Sequence, residues 1–400
     1  MKPAIIVPAF SRAKSLSRLL KSINDAHFSS DDQLLIITLD GGASIEVLRI
    51  AESFQFKHGI KKIIKREKNI GLRNHILWCG DQSNEYGAVI ILEDDLLVDK
   101  YFYNYAVSAL KFYREDPEIG GISLYGQRFN TMAKLAFEPM FNGYSAYFMK
   151  LPSSWGQAWT ADQWARFKEW YKDADQQQVN ENENIPQTIK NWPETSWKKY
   201  YAAYLAEENL YFVYPYQSYT TNCADPGGVH MEEGTNVYQV PLGAKDRPEE
   251  RFRFCSLHES TVKYDAFMDP EADEIFERLS LSTADLEIDI HGIKPVSLLK
   301  KKKFTLTPKK CKNPISTFRM TFRPIEKTVL NPVLNAEIGP GYNEYIFLSE
   351  SENVLSEKRP FYEQVNYYSY YQTKRKYFLR RYLLHLGYSF LDKLTFWKRV

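Results

Sequence analysis

At 400 residues, 44% hydrophobic and 26% charged, the chain has the make-up of a globular protein with room for one large domain and an appendage. A net charge of +2 and the lack of a base-reading motif exclude an obvious nucleic-acid binder, so nucleic acid is not an expected partner. Cys79, Cys223, Cys255 and Cys311 offer neither a disulfide framework nor zinc spacing, and the apolar runs are too short for a signal peptide or a membrane span, which together fit a reducing cytoplasm.

Residues 4–7 read as a strand, after which Leu16, Leu19, Leu20 and Ile23 recur at helical spacing. Residues 34–39 form a second strand ending at Asp40-Gly41-Gly42. A helix over 45–56, a strand over 61–65, a helix over 72–79 and a fully apolar strand over 88–92 follow. The helical period returns over 102–113, and 119–124 is the next strand. This alternation predicts an α/β fold of βαβ units, with a nucleotide-binding half over 1–125. Beyond Asn142 the pattern loosens. Residues 151–170 are dense in Trp, 176–184 read as a polar loop, 192–207 as a helix and 211–214 as a short strand. The expected division places one domain over 1–235, its second half 126–235, then a C-terminal extension over 236–355 containing a Lys-rich run at 300–312, and a Tyr-rich, basic, amphipathic tail over 356–400.

The apolar strand 88–92 empties into Glu93-Asp94-Asp95. Ligands of open α/β sheets bind outside the carboxyl ends of the strands, which is where these acids fall. Adjacent carboxylates raise one another's pKa and call for a cation. A hard divalent ion with oxygen ligands, Mn2+ or Mg2+, meets that need, bridges a diphosphate and neutralises charge on a departing nucleoside diphosphate. The competing role for Asp94 or Asp95 is a cap on the helix starting near Tyr101.

Leu92-Glu93-Asp94-Asp95-Leu96-Leu97-Val98-Asp99 resembles the Glu-Asp-Asp version of the DxD motif in GT-A glycosyltransferases. Ile6-Val7-Pro8-Ala9-Phe10-Ser11-Arg12 is similar to the opening nucleotide-binding strand of the family 2 enzymes, and Lys68-Asn69-Ile70-Gly71-Leu72-Arg73 to their Asn-hydrophobic-Gly-Leu segment. The resemblance covers roughly residues 1–235. It is closest to bacterial family 2-like enzymes of surface-polysaccharide synthesis, and more distant to the N-acetylglucosaminyltransferase I type. It implies a Rossmann-like GT-A fold, a nucleotide-sugar donor, expected to be a UDP-sugar, and inverting transfer of a hexosyl or N-acetylhexosaminyl unit. By the same resemblance Pro8 and Arg12 line the nucleotide pocket, Asp40 hydrogen-bonds the base and Arg73 faces the diphosphate or the base. Asp94 contacts the ribose or the metal, Asp95 is the direct metal ligand, and Glu93 completes the donor cluster. Asp40 also reads as a turn residue before two glycines, and Arg73 as a solvated residue opening a helix.

Ser153-Ser154-Trp155-Gly156-Gln157-Ala158-Trp159, followed by Trp164, resembles a Ser-Trp-Gly-x-x-Trp segment of these enzymes. Trp155 and Gly156 are expected at the acceptor, Trp159 and Trp164 in packing. In Trp192-Pro193-Glu194-Thr195-Ser196-Trp197, alignment on the second Trp of the relatives' Trp-Asp-x-x-Trp places Glu194 on their catalytic base. Two departures mark this position: Glu is longer by a methylene, and Pro replaces the first Trp. The alternative is an acid in the first turn of a helix, with Asp162 as the reserve base. In the loop 222–230 the resemblance assigns His230 to the metal or the diphosphate, against an ordinary surface histidine. Residues 374–400 mix Arg and Lys with bulky apolar residues, which suits a helix in an anionic membrane interface. That agrees with a glycan or lipid-linked acceptor and a peripheral place on the inner face of a membrane; the alternative is a helix packed on the body or on a second subunit of a homo-oligomer. Two rivals remain. A sugar-phosphate nucleotidyltransferase needs a Gly-rich loop that 8–12 lacks, and a non-catalytic carbohydrate-binding or scaffold descendant would have lost the carboxylates.

Overall fold

The computed structural model describes residues 1–226, 235–243, 252–319, 322–331 and 345–357, with residue 383. The first half alternates as its sequence pattern implies: β1 (Ala4–Ala9), α1 (Ala13–Asn24), β2 (Gln33–Leu39), α2 (Ile45–Ser53), β3 (Gly59–Lys65), α3 (Gly71–Asp81), α4 (Ser83–Tyr86), β4 (Ala88–Ile91), β5 (Leu96–Val98), α5 (Phe102–Phe112) and β6 (Ile119–Ser123). A small hairpin follows, β7 (Phe129–Asn130) and β8 (Leu135–Ala136), and then β9 (Ala146–Met149), β10 (Gln157–Thr160), α6 (Ala161–Lys172), α7 (Gln176–Glu181), α8 (Gln187–Lys190), α9 (Trp197–Glu207), β11 (Tyr211–Pro215), β12 (Thr220–Asn222) and β13 (Lys263–Tyr264).

Nine strands form one mixed sheet in the order β13-β9-β11-β6-β10-β4-β1-β2-β3. Strands β1 to β4 are mutually parallel, with Ile6 beside Ile36 and Ile91, so their carboxyl ends share one edge. β10 enters antiparallel between β4 and β6. Strand alternation feeds two cores: Ile5, Val7 and Ile90 face one side with Leu16, Leu19, Leu20 and Ile23 of α1, while Ile6, Val89 and Ile91 face the other with Trp159, Trp164 and Tyr201. Each such fully buried aliphatic side chain contributes roughly 1.5–3 kcal/mol. Trp159 and Trp164 are fully buried, as their packing role requires.

Three elements differ from the sequence pattern. The polar stretch 176–184 contains α7, whose Asp175 side chain caps the helix by accepting from Gln177 N. The helix expected from 192 begins at Trp197, because Pro193 opens a turn in which Ser196 N donates to Pro193 O. The main sheet also reaches past residue 235, taking its edge strand β13 from Lys263–Tyr264.

Beyond it, α10 (Asp273–Leu279) packs on a second sheet of β14 (Leu286–Ile288), β15 (Phe304–Thr307), β16 (Ser316–Arg319) and β17 (Tyr345–Glu350), in the order β14-β15-β17-β16, around Ile275, Leu286, Ile288 and Leu306. A buried ionic network joins the two units. Lys294 Nζ meets Asp265 Oδ2 at 2.6 Å and Glu287 Oε1 at 2.7 Å. Asp269 Oδ1 accepts from His291 N at 3.0 Å and lies 2.8 Å from His291 Nδ1. Lys309, in the Lys-rich run, is buried within 3.8 Å of Asp289 rather than solvated. Among the described residues no helix is long and apolar enough to cross a membrane.

Candidate active site

β4 ends at Ile91, and the chain turns through Glu93-Asp94-Asp95 into β5 at the carboxyl edge of the parallel strands. β1 ends beside it, with Pro8 buried in the strand, and delivers Arg12 as the residue preceding α1. Arg12 Nη1 donates to Asp95 Oδ2 at 2.9 Å, and Nη2 donates to Asp94 Oδ1. Both carboxylates are buried, at 5% and 8% exposure, so the guanidinium supplies the charge they need. Burial first, then Asp95, push the Asp94 carboxyl up to about 6 against the pull of Arg12. Burial and the neighbouring Asp95 raise Glu93 further, to about 8. Neither Asp94 nor Asp95 caps α5. That work falls to Asp99, whose Oδ1 accepts from Tyr101 N at 2.9 Å and whose carbonyl accepts from Phe102 N at 3.2 Å.

Asp95 Oδ1 is buried and accepts no hydrogen bond among the described residues. A buried carboxylate oxygen without a partner is costly, and a divalent ion is one group that satisfies it. Among the described residues no cluster of three or more His, Cys, Asp and Glu converges on one point. A metal here would take Asp95, with Asp94 beside it, and draw its other oxygens from outside the protein, which is the habit of Mg2+ and Mn2+ at diphosphates. The residues present fit such an ion. His230, the expected further ligand, lies outside the described residues, as does all of the tail 374–400 except residue 383.

A second cation stands nearly two helical turns on. Arg18 of α1 binds Asp225 through both Nη atoms and reaches Asp95 O at 3.4 Å, while Ser15 Oγ donates to Asp225 Oδ2 at 2.6 Å. These bonds hold the Asp225 carboxyl below its ordinary range and fasten the loop after β12 to α1. Cys223 N donates to Asp95 O at 3.0 Å, fixing the acid cluster from the same loop. Sequence reasoning missed Ser15, Arg18 and Asp225; the one available signal was the helical spacing of Ser15 and Arg18 after Arg12.

Asp40, at the end of β2, is occupied by backbone. Its Oδ1 accepts from Gly41 N at 2.9 Å and Ile70 N at 3.0 Å, and its Oδ2 from Gly71 N at 3.0 Å. It therefore anchors the start of α3 to the end of β2. A Cβ on Gly41 would lie 2.1 Å from Lys68 C, which is why the two loops close only over glycine. α3 presents Arg73, whose Nη1 donates to Glu194 O at 2.7 Å with its guanidinium 5.6 Å over Tyr200.

Glu194 thus sits on an exposed turn before α9, not in its first helical turn, and its carboxylate makes no hydrogen bond or ion pair among the described residues. Lys199, buried, holds the same turn by donating to Trp192 O at 3.1 Å and Lys190 O at 2.6 Å. Asp162 is elsewhere. It lies beside the start of β4, where Ala161 N donates to Gly87 O, and its pair with Arg166 at 3.6 Å is an ordinary i,i+4 contact.

Trp155 and Gly156 face β12. Thr220 Oγ1 donates to Trp155 O at 2.5 Å, and Gly156 has φ +94°, with a Cβ there only 2.8 Å from Thr220 Cγ2. The Trp155 indole rests on Tyr125 and Tyr238, with ring centroids 4.8 and 4.9 Å away. Lys198, which no sequence signal singled out, projects between Trp155 and Trp192. Burial lowers its pKa to about 8, with Glu93 holding it up.

A two-sided α/β sheet whose parallel strands end at an arginine-clamped pair of acids is the arrangement expected from the resemblance to GT-A enzymes. Residues 4–171 match the family model described as glycosyl transferase family 2, a segment running from β1 to Tyr171 of α6. No curated protein matches the sequence. Among solved structures, S. aureus TarS 1–349 in complex with UDP is similar at 18% identity, covering 55% of this chain and 60% of that one, with a TM-score of 0.35. The mannosyltransferase PcManGT from Pyrobaculum calidifontis, in complex with GDP-Man and Mn2+, is 15% identical over 42% of this chain and 47% of its own, with a TM-score of 0.29. Mouse xyloside xylosyltransferase 1 is 10% identical over 53% and 84%, with a TM-score of 0.34.

Proposed function

We infer that the chain is an inverting, divalent-metal-dependent glycosyltransferase, moving a hexosyl or N-acetylhexosaminyl unit from a nucleotide sugar, a UDP-sugar first, to a glycan or lipid-linked acceptor of a surface polysaccharide. The observation that carries this reading is the Arg12–Asp94–Asp95 cluster with its bare, buried Asp95 Oδ1 at the strand ends. A bound Mn2+ or Mg2+ supplies neutralisation of the charge gathering on the departing nucleoside diphosphate. Asp95 and Asp94 would hold that ion, with His230 as a further ligand. Arg12 and Arg18 add fixed positive charge to the diphosphate side. Glu194 takes the proton of the acceptor hydroxyl as its oxygen attacks the anomeric carbon; a new C–O bond forms as the bond to the diphosphate breaks, in a single displacement. The tail 374–400 rests on the membrane that carries the acceptor.

Screening nucleotide sugars by thermal shift, with and without Mn2+, tests the donor site, because a ligand that binds the folded state stabilises it. One nucleotide sugar should raise the melting temperature only with Mn2+, and Asp95→Asn should abolish the rise. Equal stabilisation with EDTA present would instead leave Arg12 and Arg18 as the diphosphate's cations. With the donor found, Glu194→Gln should keep the thermal shift and lose about 100-fold or more in transfer, the usual worth of a general base. Unchanged turnover would remove Glu194 from the mechanism.

A further inference from the structure

Arg12 and a divalent ion have claims on the same carboxylates. The guanidinium takes one oxygen from each acid: Nη1 donates to Asp95 Oδ2 at 2.9 Å, and Nη2 donates to Asp94 Oδ1. Such charge-assisted, two-pronged pairing ties both acids to one cation. The neighbouring charges are already matched. Asp225 is held by Arg18, and Glu93 interacts with Lys198, so Asp94, Asp95 and Arg12 together carry a single net negative charge. A divalent ion at Asp95 Oδ1 would turn that surplus positive and set two cations against each other across one buried carboxylate, where water screens them little. A diphosphate reverses the balance. Its oxygens also suit the planar fork of donors that Arg12 offers the carboxylates.

Arg12 is placed to change partners. It precedes α1 with φ −96° and ψ 72°, outside the helical range, and its side chain caps nothing in the helix. Among the described residues that side chain bonds only to the two acids, and 20% of it is exposed. Arg18 differs. It spends its Nη atoms on Asp225 and reaches only the backbone oxygen of Asp95, leaving the carboxylate oxygens alone.

We propose that Arg12 is a built-in competitor of the divalent ion, one that keeps ion affinity low until a nucleoside diphosphate draws its guanidinium away from Asp94 and Asp95. The inference rests on the transferase reading above and adds the regulation of that same site. Ion and nucleotide then bind as a linked pair, each raising the affinity of the other by the same factor.

Mn2+ is the probe, followed by the electron paramagnetic resonance signal of the unbound ion. With no nucleotide present, Arg12→Met should bind Mn2+ ten-fold or more tighter than wild type, within the roughly 5–150-fold span of coupled sites. Adding Asp95→Asn to Arg12→Met should remove that gain. A merely structural arginine gives the opposite sign, because its loss would loosen the acids and weaken the ion. Equal or weaker Mn2+ binding by folded Arg12→Met overturns the proposal, as does a gain that survives Asp95→Asn. In wild type, saturating UDP or GDP should raise Mn2+ affinity by a similar factor, after allowance for the ion that free nucleotide holds in buffer. Wild type that binds Mn2+ equally well without nucleotide also overturns the proposal, and this comparison decides even if Arg12→Met does not fold. A normal thermal shift with nucleotide sugar and Mn2+ beside any of these negative results leaves the transferase reading standing; absence of that shift sinks the reading instead.

Discussion

Asp40 shows how one side chain braces two loops beside the site. Its carboxylate is consumed by three backbone amides, two of them at the start of α3, where the helix dipole also favours a negative charge. Beneath it, His75 Nε2 and Thr38 Oγ1 lie 2.9 Å apart, and burial lowers the His75 pKa to about 4. With its folded value below the free value of 6.5, His75 is protonated first in the unfolded chain. The stability it contributes is therefore complete above pH 6.5 and drains away as the pH falls towards 4. The full loss is about 3 kcal/mol. Urea denaturation of wild type and His75→Gln at pH 7 and pH 4 should show the wild type losing that much more than the variant; parallel losses would mean that His75 is not held neutral.

At the scale of elements, short loops at both edges of the sheet are held by specific caps and lysines. Thr160 and Gln163 close a capping box on α6: Thr160 Oγ1 accepts from Gln163 N and Gln163 Oε1 accepts from Thr160 N, both at 3.1 Å. Because α6 carries Trp164 and Phe167 into the core beneath α9, loosening its start disturbs the face that supports the Glu194 turn. Thr160→Ala should cost about 1 kcal/mol, read from the urea midpoint at unchanged slope. No change in midpoint would show that the cap is redundant with packing. On α9 the adjacent Lys198 and Lys199 take opposite roles, one reaching a cavity and one bracing a turn. Sequence alone gives them the same reading, two cations at the start of a helix.

Across the whole molecule, the junction between the two sheets is ionic rather than apolar. Burial opposes the charge on Lys294, yet Asp265, Glu287 and Asp269 together hold its pKa well above the ordinary lysine value. Removing that cation would leave buried carboxylates facing one another, a loss of about 3–5 kcal/mol. Lys294→Met should show it in urea denaturation, whereas removing the exposed Lys65–Glu52 pair should cost no more than about 1 kcal/mol. Equal effects of the two would mean that water reaches the junction.

The sequence by itself determined the βαβ order, the two faces of each strand and the place of the acids, because these depend on local periodicity and on one apolar strand running into three carboxylates. Arg12 was placed with them by the resemblance of residues 6–12 to the opening strand of family 2 enzymes. Only the tertiary structure decided which charges neutralise which. Arg12 clamps Asp94 and Asp95 across 82 and 83 residues, and Arg18 meets Asp225 across 207. Asp40 turned to the backbone, and Glu194 came to an exposed turn tied to α3. Pairings of that kind follow from how parallel strands bring distant loops to one edge, and from burial that makes each unpaired charge costly. Neither is written in the spacing of residues along the chain.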